Sequence, residues 1–128
     1  MKQFIRQSVY NKYGGRCAYC GKEITYKEMQ VDHLFPKCLA HLYTSSWSIL
    51  TDNLIGESVE DFSNLMPSCR RCNHYKRAYR LEEFRDMMVT IHKRIAENYI
   101  CKVGLDYGII IIKPFSGKFY FETLEVTG

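Results

Sequence analysis

Apolar residues recur at helical spacing in two stretches of the chain. Near the start, the apolar positions of residues 2–13 predict a short helix that ends at Gly14. Further along, apolar residues occupy every third or fourth position of residues 81–99. They predict one face of a helix of about five turns that ends within residues 101–104. Such a face is typical of core packing, and it would also suit the interface of a homodimer.

Shorter apolar segments predict strands. Residues 24–31 predict one or two short strands. Residues 64–67 predict a short strand or an extended segment. In the tail, residues 107–113 and 118–124 predict a β-hairpin around a turn that contains Pro and Gly. Residues 34–60 have little periodicity and are interpreted as a long insertion with room for one helical turn. The mixture predicts an α+β fold.

Length and composition limit the class of protein. The chain has 128 residues, enough for one domain, and its 46% hydrophobic and 25% charged residues exclude a disordered tail, a collagen-like fibre and a membrane protein. Its longest purely apolar run, residues 109–112, is far shorter than the roughly 20 residues that span a membrane. No apolar secretory segment follows Met1. We therefore expect a single soluble domain of the cytoplasm, spanning residues 1–128 and without a membrane partner.

Basic residues are concentrated in one segment of the chain. Lys and Arg number 18 against 14 acids, a net charge of +4 that permits a polyanionic partner without requiring one. Between Cys69 and Leu81 there is no acid, and the basic residues there are Arg70, Arg71, Lys76, Arg77 and Arg80. Such a run is often a solvated helix face, but its position beside a metal motif favours contacts with nucleic-acid phosphates.

The spacing of the six cysteines indicates a metal site. Two C-x-x-C pairs, Cys17 with Cys20 and Cys69 with Cys72, can supply four thiolates to a tetrahedral structural Zn²⁺. Disulfides and a redox-active C-x-x-C are the alternatives. Nothing places the chain in an oxidising compartment, however, and a redox motif leaves the second pair unexplained. The remaining cysteines are interpreted as packed free thiols: Cys38 and Cys101.

A second set of potential ligands lies among the cysteine pairs. Asp32 and His33 are adjacent, Asn64 precedes the second pair, and Asn73 directly follows it. A carboxylate suits Mg²⁺ or Mn²⁺, a neutral imidazole can take a proton from water, and an amide can coordinate a metal or hold a neighbour. Hydrolysis of a phosphodiester needs these functions. Adjacent residues of a regular strand point to opposite faces. Asp32 and His33 can therefore serve one site only where the strand ends or distorts. The nearby Pro36 is consistent with a strand that ends there.

Three segments of the chain together resemble an HNH endonuclease of the four-cysteine zinc type. They are CAYCG at residues 17–21, VDHLFP at residues 31–36, and NLMPSCRRCN with the following HYK at residues 64–76. The resemblance covers about residues 16–76. In addition, FYFE at residues 119–122 is similar to the tail of some phage-type members.

The resemblance implies a fold and an activity. The expected α+β fold has a ββα-metal (His-Me finger) core at residues 14–80, with structural Zn²⁺ and an N-terminal helix. An extension at residues 81–128 would hold a long C-terminal helix and a terminal β-hairpin. The implied activity is hydrolysis of DNA by a bacterial or phage-encoded endonuclease that needs Mg²⁺ or Mn²⁺. A single active centre cuts one strand, so double-strand cleavage would need a homodimer or two binding events.

The resemblance also implies a role for each polar residue of the second set. Asp32 would bind the catalytic cation, His33 would be the general base that activates water, and Asn64 would hold the loop that carries this histidine. Asn73 would be a metal ligand as well. The neighbouring His74 stays an alternative, and only one of the two should face the cation because neighbours on a helix differ by about 100° in direction.

Two other residues and two other functions complete these expectations. Asn53 resembles the middle position of the family, but only Asn64 has the spacing to Cys69 that the family shows. Lys76 matches a basic residue that would contact a phosphate, together with the four arginines of the basic segment.

The first alternative function is a zinc-stabilised nucleic-acid-binding module without catalysis, which would leave the acid, the histidine and the amides without roles. The second is a zinc-scaffolded protein-interaction domain.

Overall fold

The computed structural model describes residues 1–42 and 58–124 of the chain. The chain divides into two compact units, which are called the first unit, residues 1–81 and 119–128, and the second unit, residues 82–118. Within the described ranges, no helix combines the length and the apolar character that crossing a bilayer requires.

The first unit begins with helix α1, Gln3–Asn11, which confirms the predicted N-terminal helix. Its Val9 is fully buried. Two glycines follow the helix with positive φ angles, 67° at Gly14 and 78° at Gly15. Their main-chain amides bond to carbonyls in the last turn of α1, each at 3.1 Å. The left-handed conformation that glycine adopts easily thus closes the helix and turns the chain toward the first cysteine pair.

Two short antiparallel strands form the sheet of the first unit: β1, Gln30–His33, and β2, Leu65–Ser68. β2 confirms the predicted strand before the second cysteine pair, displaced by one residue. β1 overlaps the segment predicted to contain strands, residues 24–31, only at its last two residues and continues beyond it to His33. All of β2 is buried, and the pairing continues to the end of β1, where His33 lies opposite Leu65.

Helix α2, Arg70–Lys76, follows β2 and packs against β1. Cys69 is its N-cap, since the sulfur accepts a hydrogen bond from the main-chain amide of Cys72 at 3.3 Å. The helix ends at Arg77, which has a φ of 51°. The described elements of the first unit therefore combine helices with a small antiparallel sheet, an α+β arrangement as expected.

The single long helix predicted for residues 81–99 is wrong. The chain instead forms α3, Leu81–Val89, α4, Ile91–Ala96, and α5, Tyr99–Asp106. At the first break, the side chains of Thr90 and Arg94 both donate to the carbonyl oxygen of Met87, at 3.3 and 2.7 Å. These side-chain bonds compete with the main-chain ladder of a continuous helix. At the second break, Oδ1 of Asn98 accepts a hydrogen bond from the main-chain amide of Ile100 at 3.1 Å, so Asn98 caps the start of a new helix.

The predicted C-terminal hairpin is wrong as well. Residues 107–118, all of them described, contain neither strand nor helix, and Tyr120–Thr123 forms a helical turn, α6. The first two amides of α6 donate to the carbonyls of Tyr19 and Ala18, at 3.0 and 2.8 Å. The buried Phe119 ring packs 5.6 Å from the Tyr19 ring. The tail therefore pairs with the loop of the first cysteine pair, and a hairpin would have required the same main-chain groups.

The long insertion is described only at its two ends. A 3₁₀ helix, Lys37–Leu42, supplies the expected helical turn. Its Cys38 is exposed, so the prediction of a packed thiol is wrong there, whereas Cys101 is partly buried. Asn53 lies outside the described residues.

Candidate functional site

The four paired cysteines form one cluster in the first unit. The sulfur atoms of Cys17, Cys20, Cys69 and Cys72 all lie within 4.8 Å of one another, and those of Cys20 and Cys69 are 3.9 Å apart. Four sulfurs placed tetrahedrally about 2.3 Å from Zn²⁺ are about 3.8 Å from each other, close to this spacing. All four thiols are free, so the disulfide alternative does not describe this structure. The cluster can hold a metal ion such as zinc, as the cysteine spacing predicted.

Main-chain hydrogen bonds bring the two cysteine pairs together. The amide of Gly21 donates to the carbonyl of Cys17 at 3.0 Å and closes the first loop. Gly21 has a φ of 80°, and a Cβ atom there would lie 2.8 Å from the Tyr120 ring, so a larger residue would disturb both the loop and the tail. The amide of Ala18 donates to the carbonyl of Pro67 at 2.8 Å, which ties the first loop to β2 just before the second pair.

The thiols of the cluster differ in their tendency to ionise. Hydrogen bonds from Cys20 and Cys72 lower the pKa of Cys17 far below the usual thiol range. The hydrogen bonds to Cys17 raise the pKa of Cys20 and of Cys72, because each of these thiols is a donor to a neighbouring thiolate. A divalent cation among the sulfurs would remove these opposite pKa shifts, since its charge stabilises all four thiolates.

Asp32, on β1, is almost completely buried and belongs to a polar network. Its Oδ2 accepts a hydrogen bond from the Tyr19 hydroxyl and lies 3.1 Å from Nζ of Lys76. The same ammonium donates to the main-chain carbonyl of His33 at 3.2 Å. Burial, and then the negative charge of Asp32, raise the pKa of Tyr19 well above its usual value, so Tyr19 stays a donor. The network connects the first cysteine loop, β1 and α2.

Lys76 does not belong to the surface that was predicted to contact phosphates. Its side chain is fully buried on α2, and no phosphate reaches it there. A buried ammonium without a partner costs several kcal/mol, so the carboxylate of Asp32 is what makes this position tolerable. The other basic residues of the segment are exposed: Arg70, Arg71, Arg77 and Arg80.

His33 has different contacts from those of Asp32. β1 ends at His33, as expected, but this residue is still paired with β2, so its ring and the Asp32 carboxylate leave the strand on opposite faces. Its Nε2 lies 3.2 Å from Oε1 of Glu60, and the same oxygen lies 3.5 Å from Nζ of Lys37. Within the described residues, the structure gives the carboxylate and the ring no common side-chain partner.

Asn64 lies fully buried between the loop that follows His33 and the loop that precedes β2. Its Oδ1 accepts the main-chain amide of Phe35 at 2.7 Å. Its Nδ2 donates to the main-chain carbonyls of Phe35 at 3.1 Å and Val59 at 2.8 Å. One side-chain amide therefore fixes both loops, and the first of them begins immediately after the histidine.

The two alternatives on α2, Asn73 and His74, lie on different sides of that helix. His74 lines an open cleft of about 770 Å³ that Cys69 also lines, whereas Lys76 contacts Asp32. At about 100° per residue, Asn73 is about 60° from Lys76 around the helix axis and His74 is about 160° from it. Asn73 therefore shares the Asp32 side of α2, and its side chain has no hydrogen bond to any residue that the structure describes.

Two side chains of this region were not predicted to be site residues. Tyr19 stands between the first two cysteines, where no pattern distinguishes a hydrogen-bond donor from a packing residue. Glu60 contacts His33 from 27 positions further along the chain, and no local spacing links the two. Only the folded chain reveals such pairs.

Comparisons of the chain with protein-family models, with curated proteins and with solved structures found no match. The function is therefore inferred from the residues and the geometry of the first unit.

Proposed function

We propose that the protein is an HNH-type endonuclease of ββα-metal architecture that hydrolyses phosphodiester bonds of DNA and carries a structural zinc. The contacts of Asn64 are the main support, because this amide holds the loop that starts directly after His33, which is the role the HNH resemblance implies for it. The order of the described elements adds support, since Asp32 and His33 are the last two residues of β1, Asn64 precedes β2, and Asn73 lies on α2. Because β1 is paired up to His33, a site shared by both side chains would require the end of β1 to depart from regular strand geometry.

The residues fit a catalytic Mg²⁺ or Mn²⁺ in the chemistry of their donor atoms. Asp32 and Asn73 would supply oxygen ligands, which these hard cations prefer. Oδ2 of Asp32 is engaged by Tyr19 and Lys76, so Oδ1 would be the coordinating atom. When bound, the cation would stabilise the negative charge that develops on the leaving 3′ oxygen.

The protein's own residues would perform the remaining steps. His33 would take the proton of the attacking water as general base. Asn64 would keep the histidine loop in place during this transfer. The exposed arginines would hold the DNA backbone through contacts that weaken with salt and carry no sequence information: Arg70, Arg71, Arg77 and Arg80. Cleavage of both strands would need a homodimer or two binding events, and a nuclease of this kind would act in the cytoplasm.

A plasmid-nicking assay tests the proposal. The zinc-loaded protein should convert supercoiled DNA to the nicked form with Mg²⁺ or Mn²⁺, and EDTA should stop the reaction. His33→Ala should abolish nicking while the bound zinc and the thermal unfolding transition stay unchanged. His92→Ala, the same substitution in the second unit, is the matched control and should retain activity. Nicking by His33→Ala at the wild-type rate would refute the assignment of the base.

One observation favours a non-catalytic zinc-stabilised module that binds nucleic acid. The Asp32 carboxylate already has an ammonium and a hydroxyl as partners, which is sufficient reason for an acid at this position. Salt-dependent retention of DNA without nicking in any divalent cation would support this second function. Absence of both retention and nicking would leave a protein-interaction domain as the better description.

A further inference from the structure

We infer that Glu60 is a positioning residue, which fixes the orientation and the tautomer of the His33 ring so that Nε2 carries the proton and Nδ1 is the free base. The inference deepens the proposed function, because only a general base makes the choice of nitrogen important for a reaction. The state of the ring follows from the contacts of the folded chain, whether or not the protein is a nuclease.

The contact itself determines the tautomer. Nε2 of His33 lies 3.2 Å from Oε1 of Glu60. An ionised carboxylate has no proton to donate, so the ring nitrogen that faces it must be the donor. In a neutral imidazole the other nitrogen then holds the lone pair, which is the atom that can accept a proton from water.

The other charged groups around His33 do not compete for the ring. Lys37, in the turn after β1, lies 3.5 Å from the same Glu60 oxygen and helps to hold the carboxylate. Lys76, on α2, reaches the main-chain carbonyl of His33, and Asp32 leaves the strand on the opposite face. Glu60 is therefore the group that faces Nε2 among the residues that the structure describes.

Glu60 is also anchored more firmly than an ordinary surface acid. Its side chain is half-exposed, and an isolated ion pair at that exposure contributes little to stability. Its neighbour Val59, however, is buried, and the carbonyl of Val59 accepts the Nδ2 proton of Asn64 at 2.8 Å. The Glu60 amide bonds to Ser58 Oγ at 3.1 Å. Since Asn64 also binds Phe35, just after His33, one buried amide connects the main-chain segments that carry the ring and the carboxylate.

Nitrogen NMR of the zinc-loaded full chain, labelled with ¹⁵N-histidine, tests the state of the ring. The His33 signals, identified by their loss in His33→Ala, should show a proton on Nε2 that exchanges slowly with water at a pH where the ring is neutral. Glu60→Ala should lose that protected proton, and Glu60→Gln, which can still accept through Oε1, should retain it. A proton on Nδ1 in the wild type, or an unchanged signal in Glu60→Ala, would overturn the inference whether or not the protein nicks DNA.

Steady-state nicking kinetics test the consequence for catalysis. General-base catalysis contributes about 10²- to 10⁴-fold, and loss of orientation should remove part of it, about tenfold in kcat with KM unchanged for Glu60→Ala. Glu60→Gln should recover most of this loss, and Lys37→Met should change kcat by less than about twofold, because Glu60 keeps its contact with His33. An unchanged kcat in Glu60→Ala would refute the positioning role. Absence of nicking by the wild type, with the expected NMR signals, would instead refute the proposed function and leave the ring assignment in place.

Discussion

The two units of the chain differ in what they bury. The first unit encloses polar side chains, with Asn64 and Lys76 fully buried and Asp32 nearly so. The second unit leaves large apolar side chains at its surface, among them Ile111 at 91% and Tyr99 at 81% exposure. Buried polar groups are stable only where each finds a partner, so the first unit depends on specific directional contacts. We expect single substitutions to have large effects there and small effects at the surface of the second unit.

Metal removal should have the largest effect, and it should be concentrated in the first unit. Apparent zinc-binding free energies of small zinc domains are about 10–16 kcal/mol and contribute directly to folding. Metal-free protein, or Cys69→Ser, should lose hydrogen-exchange protection in α2 and the first cysteine loop, with a much smaller change in α4 and α5. Cys101→Ser, the same substitution outside the cluster, should keep its zinc by metal analysis. Equal hydrogen-exchange protection of α2 with and without metal would contradict the expectation that the first unit depends on the metal more than the second unit does.

Replacing the buried ammonium should have the next largest effect. Lys76→Met leaves the Asp32 carboxylate buried without its cation, which should lower the free energy of unfolding by about 3–5 kcal/mol in a urea titration. The double variant Asp32→Asn/Lys76→Met should recover part of this loss, because no unpaired charge remains. Arg77→Met, at the exposed neighbouring position, is the control and should cost less than about 0.5 kcal/mol. A loss as small as that of the control would show that Lys76 is not buried with Asp32.

Truncation of the buried amide should cost somewhat less. Asn64→Ala removes three hydrogen bonds and leaves main-chain groups of Phe35 and Val59 unpaired, so unfolding should become easier by about 2–4 kcal/mol. The same substitution at the half-buried Asn73 should change stability by less than about 0.5 kcal/mol, yet it should abolish nicking if Asn73 is a metal ligand. An unfolding free energy for Asn64→Ala equal to that of the wild type would refute the connection between the two loops.

The smallest effect is expected at the surface of the second unit. Ile111→Ser replaces an almost fully exposed side chain, so the free energy of unfolding should change by less than about 0.5 kcal/mol. Thermal unfolding followed by circular dichroism measures this directly. A loss above about 1 kcal/mol would mean that Ile111 is covered in solution, and the difference in burial between the units would then be smaller than described.

Short-range patterns in the sequence predicted the parts of the first unit that depend on local geometry. The C-x-x-C spacing puts two sulfurs on one turn, so the cluster of four cysteines could be anticipated from the chain alone. The N-terminal helix and β2 also follow from apolar spacing close to their own residues. The choice of Asn64 depended on its spacing to Cys69, and its contacts with Phe35 agree with the implied role.

Long-range competition explains what the sequence could not predict. Lys76 looks like any basic residue of an exposed run until Asp32, 44 positions earlier, is placed against it. The helix expected over residues 81–99 is interrupted because the side chains of Thr90 and Arg94 take the carbonyl of Met87. The tail had strand-like alternation, but the main chain after Phe119 bonds to the first cysteine loop instead. In each case a distant or side-chain partner outweighs a local preference.

The second unit is inserted between the two chain segments of the first, and this order has a consequence for synthesis. All four clustered cysteines have left the ribosome well before Phe119, which follows roughly 2–10 seconds later at ordinary elongation rates. A nascent chain can therefore bind a metal ion at the cysteine cluster before the Phe119 ring packs against Tyr19. The contacts between this tail and the first cysteine loop can then form only after the segment around Phe119 has been synthesised.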